Sequence, residues 1–135
     1  MPSLVADELE NPKRNYVPIA VRSNPIFRIQ APVDVGKVTS ISPRLHLPEA
    51  QSLALALEQR AELVAIDESV GRAVAARLGL ATIGALGILA QMRHRGLIGE
   101  LKPLIVRLRD ELRFRMSDTL IAEILTSVGE SPDKI

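Results

Sequence analysis

Cysteine is absent from this chain. That excludes disulfides, thiol nucleophiles and Cys-ligated zinc at once. Tryptophan is absent too, and aromatic residues make up only 2% of the chain: Phe27, Phe114 and Tyr16. The core must therefore be aliphatic, and a platform of several stacked aromatics for single-stranded nucleic acid is disfavoured. Charge of one sign is also lacking. The net charge of +1 points to no particular partner, although the segment from Arg93 to Arg115 is locally basic. Such a run either faces phosphates or is a solvated helix face of mixed charge. No basic-then-apolar leader opens the sequence. The longest apolar stretch, Leu78 to Met92, is interrupted by Gly79, Thr82, Gly84, Gly87 and Gln91. It also falls short of the roughly 18 residues of a membrane span. The expectation is a soluble cytoplasmic protein with no membrane partner.

What is present is a chain of 135 residues, 47% of them hydrophobic, enough for one compact domain over residues 1–135. Its two parts differ in character. Residues 1–46 carry Pro2, Pro12, Pro18, Pro25, Pro32 and Pro43 and little periodicity. Proline removes a backbone donor and breaks helices, so this part reads as turns with a short helix over Leu4–Glu10. Short strands are expected there at Val17–Val21 and Ile26–Ile29. Residues 47–135 are regular. Leu53, Ala54, Leu57 and Ala61 share a face at helical spacing, which predicts a helix over Pro48–Ala61. A strand follows at Leu63–Ile66, a helix at Val70–Leu78 stopped by Gly79, and a strand at Leu80–Ile83. Three more helices are expected, over Ala85–Arg95, Leu101–Leu112 and Asp118–Val128. Alternation of this kind predicts an α/β fold with a parallel sheet covered by helices.

Two acids mark where such a sheet would act. A helix of about 14 residues rises roughly 20 Å, and a strand from Glu62 to Asp67 spans roughly the same distance. Joined by a short turn, the two run antiparallel, and Asp67 returns to the level where Glu49 began. That level is the carboxyl end of the sheet, where open α/β folds bind ligands. Glu49 has a second reading, as a complement to the helix dipole, and Asp67 has one as a cap on the helix that follows. Convergent carboxylates suit Mg²⁺ or Mn²⁺, which prefer oxygen ligands and keep several waters. Other chemistry finds no support. The glycines from Gly79 to Gly87 lack the Lys-Ser/Thr of a phosphate-binding loop. His46 and His94 have no partner at ligand spacing and are expected at the surface, and Ser69 and Ser117 lack a nearby base.

Several stretches resemble one family. Leu47-Pro48-Glu49-Ala50-Gln51-Ser52-Leu53-Ala54 is similar to the "GE-x-EAI-x-LA" helix of PIN-domain ribonucleases. Ile66-Asp67-Glu68, followed by Gly71-Arg72 and Val74-Ala75, is similar to their third acidic site and next helix. Leu78-Gly79-Leu80, Arg93-x-Arg95-Gly96-Leu97-Ile98 and the stretch from Phe114 to Glu130 resemble a toxin-like bacterial and archaeal subgroup. Pro2-x-x-Val5-x-x-Glu8-Leu9 resembles the "P-x-V-x-x-EL" helix that carries another family acid. The resemblance implies a three-layer α/β/α domain that cuts RNA with a metal-activated water. Many such proteins are toxins neutralised by a small antitoxin. Carried over, Glu8, Glu49 and Asp67 would hold the metal, with Glu49 and Asp67 as catalytic residues. Arg72, Arg93 and Arg95 would bind nucleic acid, although Arg72 has the alternative of pairing with a carboxylate. Glu68 stands where a second Asp is common. The family's opening strand and its terminal Asp find no counterpart before Met1, so the expectation is an amino-terminally truncated domain without its first central strand. A non-catalytic protein that binds an antitoxin or a second copy of itself is the alternative reading, and a small-ligand α/β module is a third.

Overall fold

The structure, a computed structural model, describes residues 1–13 and 15–133. The chain divides into two compact units, Met1–Ile83 and Gly84–Ile135. The change of composition at residue 46 thus falls inside the first unit.

The first unit opens with α1 (Ser3–Glu10), then α2 (Gly36–Ile41) and α3 (Leu47–Glu58), and continues through β1 (Val64–Ala65), α4 (Ser69–Arg77) and β2 (Thr82–Ile83). The two strands pair in parallel, Val64 opposite Thr82 and Ala65 opposite Ile83. The Val64 N–H donates to Ala81 and the Ile66 N–H to Ile83, each at 2.9 Å. With α4 as the crossover this is a β-α-β unit, and the alternation of the sequence is realised as a mixed α/β fold with a short parallel sheet. Its core is aliphatic: Val38, Leu45, Leu53, Val64, Ile66 and Val74, filled in with Ala50, Ala54, Ala56 and Ala75. Each fully buried Leu, Ile or Val contributes roughly 1.5–3 kcal/mol.

Residues 11–35 differ from the expectation. No strand forms at Val17–Val21 or Ile26–Ile29. Pro18 and Pro25 cannot donate to a ladder, and the apolar residues there have no shared buried face. Val17 and Ile26 are 84% and 83% exposed, whereas Val21 is fully buried. The segment is instead tied to α1 by single bonds. Ile19 N–H donates to Leu9 O at 2.8 Å and Gln30 N–H to Met1 O at 3.0 Å. The Arg22 guanidinium reaches Asp7 and Glu10, both at 2.5 Å. Further on, the Glu58 carboxylate accepts the N–H groups of Val33 and Asp34, just ahead of α2, which the sequence reading missed.

The second unit is three helices, α5 (Ala85–His94), α6 (Lys102–Asp110) and α7 (Asp118–Ser127). Leu86, Ala90, Leu101, Ile105, Ile121 and Leu125 form its core. Four helices stop in the same way. After α3, α4, α5 and α7, an N–H donates to the carbonyl five residues back: Ala61 to Ala56, Leu80 to Ala75, Leu97 to Met92 and Glu130 to Leu125. The residue just before each of these donors is left-handed. Three times it is glycine (Gly79, Gly96, Gly129), but after α3 it is Arg60 at φ 51°. Arg113, past the end of α6, is left-handed as well, also at φ 51°.

Candidate functional site

Glu8, Glu49, Asp67 and Glu68 line a single cavity of about 260 Å³ in the first unit. They arrive from three places in the chain, each for a local reason. Glu8 stands in the last turn of α1. Glu49 stands in the first turn of α3, where Pro48 opens the helix without losing a bonded N–H. Asp67 and Glu68 follow β1 at its carboxyl end, which is where the matched lengths of helix and strand place them. Val5, Pro48, Ser52, Ala65 and Ile66 complete the wall.

The carboxylates differ in their surroundings. Glu8 and Asp67 are exposed and Glu49 is half-buried. The Glu49 Oε2 atom itself is shut away from solvent with no hydrogen-bond partner. A buried charged oxygen left unpaired costs several kcal/mol unless a cation, a proton or water reaches it. Glu68 is committed elsewhere. Its side chain caps α4, accepting the N–H of Val70 at 3.0 Å and of Gly71 at 2.6 Å. Hydrogen bonds from Gly71 and then Val70 hold its carboxyl below the usual range, with smaller help from the charges of His46 and Arg72. The capping role expected as one reading of Asp67 thus falls to its neighbour. Gly71 is part of that arrangement: a Cβ there would lie 2.6 Å from Ile66 Cδ1 and 3.3 Å from Glu68 Oε2. Only Gly71, three residues after Glu68, signalled in the sequence that a long acid closes back on this turn.

Arg72 is exposed on α4 and does not line the cavity. Arg93 and Arg95 belong to the second unit. There Arg93 Nε pairs with Glu130 Oε1 at 3.3 Å, while Arg95 is exposed at the end of α5. His46 and His94 are both exposed.

All the polar groups that converge here from the acids are oxygens, the donors that Mg²⁺ and Mn²⁺ take. Among the described residues no group of three or more His, Cys, Asp or Glu is gathered to hold a metal ion. Mg²⁺ sites commonly use one or two carboxylates plus water, and the stranded Glu49 oxygen is a donor of that kind. The residues fit a hard cation in chemistry, without forming a closed cage around it.

The comparisons with known proteins agree with the fold. A family model described as a PIN domain matches residues 1–130. No curated protein and no solved structure matches the chain. No helix among the described residues is long and apolar enough to cross a membrane. The family match takes in both units, α1 with Glu8 and the turn that carries Asp67, and the chain belongs to the PIN-domain family.

Proposed function

We propose that this chain is a metal-dependent endoribonuclease, in which Glu8, Glu49 and Asp67 hold Mg²⁺ or Mn²⁺. The observation that carries the reading is the cavity that Glu8, Glu49, Asp67 and Glu68 line together, with one Glu49 carboxylate oxygen buried and without a hydrogen-bond partner. The PIN domain, a nuclease-type fold, supports it. When bound, a divalent cation makes water more acidic and offsets the charge that builds on a phosphate under attack. The chain's own residues do the rest. Glu49 offers carboxylate oxygens from the first turn of α3, one of them buried without a hydrogen-bond partner, which a cation would supply. Asp67 supplies an exposed carboxylate just past the end of β1. Glu68, bonded to the start of α4, holds the turn that places Asp67. Arg72, Arg93 and Arg95 would contact phosphates, Arg93 by exchanging or sharing its bond to Glu130. In the cell this would be a cytoplasmic toxin held in check by a small antitoxin protein, a role supported by the resemblance of the carboxy-terminal stretches to toxin-like proteins.

The test is cleavage of single-stranded RNA with and without Mn²⁺. Asp67→Asn and Glu49→Gln are each expected to lower the rate by at least about 100-fold, the upper end of losses seen when groups around a metal are removed, in proteins that circular dichroism shows to be folded. Asp67→Asn cleaving as fast as the parent would falsify the reading.

A second reading, a non-catalytic protein that binds an antitoxin or a second copy of itself, has its own supporting observation. Val64 and Ile66 direct their N–H groups to β2, so those of Ala65 point to the other edge of the strand. Beside β1 lies a cavity of about 370 Å³ lined by Pro2, Val5, Leu55, Ala56 and Val64. A strand whose second edge makes no backbone bond among the described residues, beside an apolar hollow, is a template for another chain. A toxic effect that survives Asp67→Asn would favour this reading over catalysis.

A further inference from the structure

A cavity of about 550 Å³ in the first unit adjoins the acidic one: Glu8 and Pro48 stand in the walls of both. We infer that it seats one unstacked base of a single-stranded RNA whose backbone passes the acidic site, with Tyr16 stacking on the base and Lys13 beside its phosphate. The inference rests on the nuclease reading and adds to it how the substrate is gripped.

The wall has the make-up of a nucleoside site. Leu4, Pro12 and Pro48 give it apolar sides, and Asn11 brings a side-chain amide that can both donate and accept. Recognition pockets for flat ligands are built this way, mostly apolar with a few polar groups that fix orientation, and within this range of volume. Tyr16 is the only tyrosine of a chain without tryptophan, and it is 48% exposed rather than packed into either core. A large, half-exposed ring at a cavity wall is available to stack, and a single ring suffices for a single base.

The charges sort the ligand's parts. Asp7 in the same wall is already paired with Arg22 at 2.5 Å. Glu8 faces the shared boundary with the acidic cavity. A phosphate would be repelled from that boundary unless a cation lay between, whereas a neutral base would not. Among the described residues, Lys13 is the one cation of the wall. The arrangement therefore takes the base into the hollow and keeps the phosphates at Lys13 and at the acidic site.

The test uses the chain's own fluorescence, since a lone tyrosine reports from this cavity and nowhere else. A short single-stranded oligoribonucleotide, added with Ca²⁺ in place of Mn²⁺ so that a cation lies between the acids and the phosphates while cleavage is suppressed, is expected to quench the Tyr16 emission, and ribose 5-phosphate, which has no base, is not. Tyr16→Ala should weaken binding of the labelled oligonucleotide by roughly 5- to 150-fold, the range for one lost base–aromatic stack, while Tyr16→Phe stays within about twofold of the parent. Lys13→Ala should reduce the salt dependence of binding by about one phosphate contact, a slope change of roughly 0.7 for a single strand. Unchanged emission at saturating oligonucleotide, equal quenching by ribose 5-phosphate, or Tyr16→Ala binding within twofold of the parent overturns the base pocket. The two readings fail separately. Mn²⁺-dependent cleavage with an unaltered KM in Tyr16→Ala removes the pocket and leaves the nuclease; Tyr16-dependent binding without cleavage removes the nuclease and leaves the pocket.

Discussion

Asp67 and Glu68 stand side by side and do different work, and the difference comes from one turn of helix. Glu68 reaches back to the N–H groups of Val70 and Gly71, and those two bonds keep its charge local. Asp67 lines the cavity that it shares with Glu8 and Glu49. Glu68→Ala should therefore act on stability first, by about 1 kcal/mol as for other lost N-caps, read from urea unfolding. The pH dependence has a definite sign. The folded carboxyl of Glu68 is held low, so its contribution is fully present above the ordinary carboxylate value of ~4.3 and disappears as pH falls through the folded value. The parent should lose more stability than Glu68→Ala between pH 5 and pH 3; parallel curves for the two would reject the cap. At this scale the sequence was half legible. Matched lengths of helix and strand pointed to Glu49 and Asp67 meeting at one level. That Glu68 and not Asp67 would cap the helix was hidden, because glutamate is an uncommon cap and its reach depends on the bare Gly71.

At the scale of elements, the regular part of the chain was readable, and so was the short helix expected over Leu4–Glu10, which is α1; the stretch from residue 11 to α2 was not. Helices α3 to α7 and both strands lie within a few residues of their expected spans, since each carries a periodic apolar face or a glycine stop. The strands expected at Val17–Val21 and Ile26–Ile29 fail because apolar composition alone does not make a ladder when prolines interrupt the donors. Helix α2 escaped notice because its single buried residue, Val38, leaves no pattern to count. Helix α6 shows how one element borrows from another. No side chain of its own caps its start. Instead Glu130, past the end of α7, accepts the N–H groups of Leu101 at 2.7 Å and Lys102 at 2.9 Å, with Arg93 alongside. Burial pushes the Glu130 carboxyl up, and these bonds more than offset that and bring it below the usual range. Removing an acceptor strands two donors, each worth roughly 1–3 kcal/mol when buried. Glu130→Ala is expected to destabilise the second unit by about 2 kcal/mol and to speed amide exchange at Leu101 and Lys102 above all. Exchange unchanged at those two positions would show that the cap does not matter.

For the molecule as a whole, metal binding and folding should be coupled if the acidic cavity takes a cation. Anything bound only by the folded state raises stability by mass action, about 2.7 kcal/mol at a hundredfold excess over the dissociation constant. Mn²⁺ should raise the melting temperature in a concentration-dependent way, and Glu49→Gln should abolish the rise; an equal rise in both would place the ion elsewhere. The helix stops carry a different consequence. Four helices end on one backbone device, and three of the four fill it with glycine. Arg60 fills the fourth at φ 51°, in a region that costs an L-residue roughly 1–2 kcal/mol, and glycine there would give back roughly 0.4–1 kcal/mol as extra freedom of the unfolded chain. Arg60→Gly should thus stabilise the protein by about 0.5 kcal/mol, measured by urea unfolding, with no atom of either core disturbed. Thermostability in this fold is reached more readily through its hinges of handedness than through its aliphatic interior, where every added methyl must displace another.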